Sequence, residues 1–386
     1  MKQLRKIIVV PDAFKGGMSS AIFCRVAEEA IHRIVPQAQV VSIPIADGGE
    51  GTVDAFLAAV GGKKETVTVK GPLFEDMSSF YGILTDGTAV VEMAACAGLP
   101  LVKGREDPLR STTYGVGQLL RHAEESGCGN VILGLGGSAT NDAGCGMACA
   151  LGARFYDRRG SAFIPTGGTL SEIGRIDTGN LKFGLPVTVM CDVNNPLYGP
   201  RGAAFVFAPQ KGADEEAVRK LDNGLRSFAS VVKKDLGIDL ETLKGGGAAG
   251  GLGAGAVCFL NGTLKMGIET VLDAIRFDEG LTDADLVITG EGKLDSQSLG
   301  GKAVLGVARR AKSKDVPVIA VVGDIDDAVE EAYDLGLSGI FSINRVAVPF
   351  EQAVLRSQQD LALTVENIMR FIKRLLSTDE EDRYWD

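Results

Sequence analysis

Histidine is nearly missing from this chain: there are two in 386 residues, His32 and His122, both in segments patterned as amphipathic helices. That scarcity argues against histidine-centred catalysis and leaves each ring a surface or capping role. No CxxC pair occurs among the seven cysteines, Cys24, Cys96, Cys128, Cys145, Cys149, Cys191 and Cys258. Thiols scattered in this way are expected to be buried and free, which excludes a disulfide frame or zinc site and fits a reducing cytoplasm. No apolar run approaches membrane-spanning length, and Ile7–Val10 is too short for a signal-peptide core, so a soluble cytoplasmic protein with no membrane partner is expected. Long basic runs are absent as well. The 40 basic and 50 acidic side chains give a net charge of −10, which disfavours nucleic acid as a partner. Neither GxxxxGKS nor GxxxxGKT occurs, so the chain is not a P-loop nucleotide binder.

Glycine is abundant instead: 51 residues, roughly twice ordinary usage, clustered between apolar runs. The pattern suits tight strand-to-helix turns, where glycine permits positive φ and close backbone approach to a ligand. The apolar strand Ile7–Val10, a helix capped by Ser19 or Ser20, a second strand at Val40–Ile45 and a helix from Thr52 follow one another. Near the C-terminus Asp285–Thr289 and Pro317–Val322 read as buried strands around a helix at 302–312, with a further strand at Gly339–Ile343. The last helix carries a core-facing stripe at Leu361, Val365, Ile368, Ile372 and Leu375. Between these ends, Phe80–Leu84 and Ala89–Met93 flank an Asp86-Gly87 hairpin turn, which implies a mixed sheet. The expected fold class is α/β: a discontinuous parallel-sheet domain (1–65 and 286–386) with a central mixed-sheet insertion domain (66–285).

Four strands end in short, acidic, glycine-rich turns: Pro11–Gly16, Asp47–Thr52, Cys191–Pro196 and Gly290–Asp295. Ligands collect at the carboxyl ends of parallel strands. Acidic residues there suit Mg²⁺ and a base for a hydroxyl nucleophile, and lysines suit phosphate. The segment Gly134-Leu135-Gly136-Gly137-Ser138-Ala139 is a GxGxxA after a strand, with Asp157 at about the dinucleotide-binding spacing. It supports either an NAD site or, with the Ser138 and Thr140 hydroxyls at a helix N-terminus, a phosphate cradle. The Gly245–Gly253 cluster reads equally as a backbone wall or hinge and as a small-residue packing interface.

The motifs PDAFKG, ADGGEGT (Ala46–Thr52), STTYGVG (Ser111–Gly117), GLGGSATND (Gly134–Asp142), CDVNNPLYG (Cys191–Gly199), GAAGGLG (Gly247–Gly253) and TGEGKLDSQSLGGK (Thr289–Lys302) together resemble the type I glycerate kinase family across nearly the whole chain. The resemblance implies two α/β domains, one of them Rossmann-like and discontinuous, and phosphorylation of D-glycerate with ATP and Mg²⁺, usually at the 2-hydroxyl. Ala13, Gly17, Ala143 and Ser298 depart from the common family pattern by small-for-small changes.

Resemblance and acid placement together nominate Asp47, Asp192, Lys15 and Asp295 as catalytic. Gly48, Gly49, Ser138, Thr140, Asn141 and Lys293 are nominated for phosphate or substrate, and Glu50 and Asp192 for metal. Which carboxylate is base and which binds metal stays open. The expected partners are the small molecules glycerate and ATP. The competing readings are an NAD-dependent oxidoreductase built on GLGGSA and Asp157, and a non-catalytic binding protein for a small acid.

Overall fold

The Ile7–Val10 run forms the strand Lys6–Pro11 of a five-stranded parallel sheet in the computed structural model, which describes residues 4–14, 17–45, 48–295, 303–327 and 329–377. The strand order is Leu337–Ser342, Val318–Val322, Leu286–Gly290, Lys6–Pro11, Gln39–Ser42. Alternate residues of a strand face opposite sides of the sheet, so a strand covered on both sides reads as an unbroken apolar run. Ile7, Val9, Ile288 and Val321 share one core with the helices Ser20–Ile34 and Phe350–Ser377. The intervening Ile8, Val10 and Val287 are equally buried, and the helix Ala303–Lys312 packs against these strands. Ser19 is the cap of the first helix, its hydroxyl accepting from the Ile22 N–H at 3.3 Å. In the last helix Leu361, Val365 and Ile368 are buried as expected, but Leu375, within its last turn, is exposed.

The second sheet has six strands in the order Thr263–Lys265, Val187–Met190, Asn130–Gly134, Thr88–Glu92, Asp76–Leu84, Gly62–Lys70. Its first four strands are parallel and its last two join antiparallel, giving the expected mixed sheet. The Asp86-Gly87 turn closes the hairpin: Gly87 takes φ 83° and the Asp86 carboxylate accepts from the Thr88 N–H at 2.9 Å. Helix Glu215–Leu236 is capped by Asp214 and stopped by left-handed Gly237. It lays Leu221, Leu225, Phe228 and Val232 on a small three-stranded sheet through Phe155, Ile173 and Ile176.

The chain divides into two compact units, residues 1–46 with 271–386, and 47–270. The sequence pattern predicts crossings at 65/66 and 285/286. Helix Thr52–Val60 falls in the inserted unit because Val53 and Phe56 are buried and it packs on Asp76–Leu84 and Thr88–Glu92. At the other crossing, residues before 286 belong with the first unit: Lys6 Nζ donates to the Gly280 carbonyl, and Arg310 pairs with Asp273 and Asp278.

All seven cysteines are free thiols, and burial pushes Cys24, for example, up to about 12. His32 Nε2 lies 3.1 Å from the Ala38 carbonyl and His122 Nδ1 lies 3.0 Å from the Tyr81 hydroxyl, so both rings serve the scaffold. Among the described residues no helix is long and apolar enough to cross a membrane.

Candidate active site

Three loops of the inserted unit meet at the carboxyl ends of its parallel strands. The loop after Asn130–Gly134 contains Gly136, whose N–H donates to the Gly48 carbonyl at 2.9 Å. This contact requires glycine on both sides. A Cβ on Gly136 would sit 2.6 Å from the Gly49 Cα, and Gly48, at φ 86°, already lies against Met190 at the end of a third strand. Glu92, at the end of the neighbouring strand, accepts from the Thr52 N–H at 3.0 Å, while the Thr52 hydroxyl donates to the Gly49 carbonyl at 2.7 Å. Burial pushes the Glu92 carboxyl up to about 7, with the Thr52 N–H opposing the shift.

Ser138–Asn141 do not begin a helix, contrary to the sequence expectation. The Leu99 N–H donates to the Gly137 carbonyl and the Ala139 N–H to the Ala97 carbonyl, each at 2.8 Å, holding the segment extended. The helix Cys145–Ala150 starts only after left-handed Gly144. The reason is Asp142, which is wholly buried and accepts from the Thr113 N–H and hydroxyl, the Thr112 hydroxyl, and the Gly144 and Gly146 N–H groups. Burial raises this carboxyl's pKa and those bonds lower it. The Thr140 hydroxyl and both polar side-chain atoms of Asn141 are buried, with no hydrogen-bond partner among the described residues.

The dinucleotide reading fails on the same geometry. The glycine loop does not open a helix, and Asp157 is a turn cap whose Oδ1 accepts from the Arg159 and Ser161 N–H groups, each at 2.8 Å.

A cavity of about 410 Å³ is lined by Gly136, Gly137, Ser138, Asp192 and Lys211, among others. Asp192 follows the Val187–Met190 strand; it is exposed, and its Oδ1 accepts from the Gly267 N–H at 2.6 Å. Lys211 escaped the sequence reading. It closes the short turn Pro209–Lys211 before left-handed Gly212, and only 2% of it is exposed. Its Nζ donates to the Ser138 hydroxyl and the Thr140 carbonyl, each at 2.7 Å. Burial lowers its pKa to about 7, opposed by the charge of Asp142. The usable signal was the Pro209-Gln210-Lys211-Gly212 turn, where proline starts and glycine stops a single tight turn.

The remaining nominees divide between the units. Glu50 is exposed on the turn before helix Thr52–Val60. Lys293 and Asp295 lie in the first unit; Lys293 begins a two-residue strand paired with Asp324–Ile325 and its Nζ lies 3.8 Å from Asp324. In that unit the turns after Lys6–Pro11 and Leu286–Gly290 are neighbours, the Asp12 N–H donating to the Gly290 carbonyl at 2.8 Å. Lys15 and Asp47 lie outside the described residues. Among the described residues no group of three or more His, Cys, Asp or Glu side chains gathers to hold a metal. The Gly245–Gly253 cluster lies inside the inserted unit and packs on the Thr140–Gly144 loop, with the Ala143 N–H donating to the Gly250 carbonyl at 3.1 Å.

A profile of the glycerate kinase family matches residues 7–373. The chain is 43% identical over 368 residues to a glycerate kinase of Bacillus cereus, covering 94% of this chain and 97% of that one. It is also 43% identical over 377 residues to the glycerate 2-kinase of Escherichia coli K12, covering 95% and 99% respectively. A crystal structure of a protein named as glycerate kinase 2 from Salmonella typhimurium LT2 aligns with a TM-score of 0.86 at 40% identity, over 97% of this chain and all of that one. The chain therefore belongs to the glycerate kinase family, and as a member it is a phosphotransferase with an alcohol acceptor.

Proposed function

We propose that this chain phosphorylates D-glycerate with ATP and Mg²⁺, and that the product is 2-phosphoglycerate. The observation that carries the reading is the cavity at the strand ends, which presents the exposed carboxylate of Asp192 beside the backbone of Gly136 and Gly137. A carboxylate placed there orients the acceptor hydroxyl and takes its proton as the phosphoryl group transfers in line. The Gly267 N–H bonded to Oδ1 fixes the carboxylate's direction. Phosphoryl transfer asks little covalent chemistry of a protein, so positioning and charge neutralisation supply most of the rate.

Mg²⁺ takes one or two protein carboxylates and completes its shell with phosphate and water, so it needs no cage of its own. Asp192 or Glu50 supplies the oxygen type it requires. The backbone of Gly48 and Gly49 and the Ser138, Thr140 and Asn141 segment are proposed for phosphate or substrate. Lys15 and Lys293 are proposed for phosphate, and Asp47 and Asp295 are the bases that replace Asp192 in this reading if Asp192 proves dispensable. The E. coli relative's name supports the 2-hydroxyl as acceptor.

The test is purified protein with Mg·ATP and D-glycerate, assayed for ADP. The product is then offered to enolase, which consumes 2-phosphoglycerate but not 3-phosphoglycerate. ADP release with no enolase-competent product would move the acceptor to the 3-hydroxyl. No ADP release would end the reading.

A further inference from the structure

Lys211 is a buried ammonium whose charge has no ion pair among the described residues. Of its three N–H donors, two are spent on neutral acceptors, the Ser138 hydroxyl and the Thr140 carbonyl. The carboxylate that bears on it through space, Asp142, already takes hydrogen bonds from Thr112, Thr113, Gly144 and Gly146. A buried charge without a partner is costly, and proteins keep one where a ligand completes the pair. The third donor belongs to a side chain lining the strand-end cavity. Among the described residues lining that cavity, Lys211 is the one cation and Asp192 the one carboxylate. A triphosphate would arrive with several negative charges; a small hydroxy acid brings one carboxylate and a hydroxyl.

We infer that Lys211 is the counter-charge for the acceptor's carboxylate, and that it makes the enzyme select a monoanionic hydroxy acid over an uncharged alcohol of the same size. The assignment rests on glycerate being the acceptor. Ser138 and the Thr140 carbonyl hold the ammonium in place, and Asp192, on the same cavity wall, is left for the hydroxyl. The buried lysine thus supplies specificity, because an acceptor lacking the carboxylate leaves the ammonium unpaired.

Steady-state kinetics on Lys211→Met and Lys211→Gln test the assignment, with D-glycerate and its uncharged amide as acceptors. Loss of one partner of a buried charge pair should raise KM for glycerate about 100-fold while KM for ATP stays within about threefold. The preference for glycerate over the amide should collapse in the same variants. A rise in KM for ATP alone would mean that Lys211 meets the nucleotide's phosphate instead. A folded variant with wild-type KM for both substrates would leave Lys211 a scaffold residue. Should neither variant fold, the wild-type pH profile decides. Among the described residues Asp142 is the charged group that bears on Lys211, and Asp192 lines the same cavity, so loss of the lysine proton should raise KM for glycerate about tenfold per unit above about pH 7, with KM for ATP flat. A flat glycerate KM to about pH 9 overturns the assignment. A wild type that turns over no glycerate at all fails the proposed function itself, a result distinct from any of these.

Discussion

The Gly136 N–H donates to the Gly48 carbonyl at 2.9 Å, and this one bond fastens two glycine-rich loops that are far apart in the chain. It lies where the strands Asn130–Gly134 and Val187–Met190 end, so the loops' backbones share one wall. Gly136→Ala would place a methyl 2.6 Å from the Gly49 Cα and 2.7 Å from its nitrogen, both backbone atoms that cannot yield by rotation. The expected result is a folded protein destabilised by about 1–3 kcal/mol, with kcat/KM reduced at least about 100-fold because the cavity wall is displaced. Urea denaturation alongside kinetics measures both, and normal kcat/KM would show the wall to be irrelevant to turnover.

Asp192→Asn keeps an oxygen to accept from the Gly267 N–H, so the loop should hold its shape. What it removes is charge and basicity. A fall in kcat of about 10²–10⁴-fold with an unchanged circular dichroism spectrum and melting temperature is expected. Near-normal kcat in the folded variant would demote Asp192 to a loop cap and turn attention to Asp47 and Asp295.

Much of the scaffold was legible because its signals are local. Ile7–Val10 is apolar throughout because both faces of its parallel sheet are covered, and Asp86-Gly87 makes its hairpin with bonds formed inside the turn. The acidic strand-end turns were visible for the same reason. What escaped is tertiary. Ser138–Asn141 resembled a helix start, but the Asp142 carboxylate is claimed by Thr112 and Thr113, about thirty residues earlier, and the helix waits until after Gly144. The Pro209–Gly212 turn that carries Lys211 is legible in sequence, but nothing local marks the lysine as buried. Its burial depends on closure of the Pro209–Lys211 turn over Ser138, a contact 73 residues away that no periodicity encodes. The unit boundaries slipped likewise, because helix Thr52–Val60 is assigned by the sheet on which it packs.

Glu92 gives the fold a pH dependence of definite sign. Its carboxyl lies near 4.5 when unfolded and is pushed up to about 7 by burial in the native state. The folded form holds the proton more tightly, so the contribution is full below about pH 4.5 and is lost as pH rises through about 7. Glu92→Gln keeps an acceptor for the Thr52 N–H but cannot ionise. Relative to that variant, the wild type should lose on the order of 2–3 kcal/mol between about pH 4 and about pH 8. Urea unfolding of both proteins across that range reads the difference directly. Parallel curves would show that the Glu92 carboxyl titrates normally.

Gly251→Val separates two accounts of the glycine cluster. If Gly245–Gly253 were a hinge between moving bodies, a bulky residue would slow turnover and leave stability nearly untouched. The cluster instead lies wholly within the inserted unit and presses on the loop carrying Asn141 and Asp142. A Cβ on Gly250 would strike the Thr140 carbonyl, and one on Gly251 would sit 2.9 Å from the Ala143 Cα. Gly251 also holds φ 93°, a conformation that a β-branched residue resists. Strain and overpacking therefore act together, and the melting temperature should fall by about 5–10 °C. Turnover per folded molecule should fall less steeply, through displacement of the Thr140–Gly144 loop. A variant that melts like the wild type while its kcat collapses would restore the hinge and remove packing as the reason for these glycines.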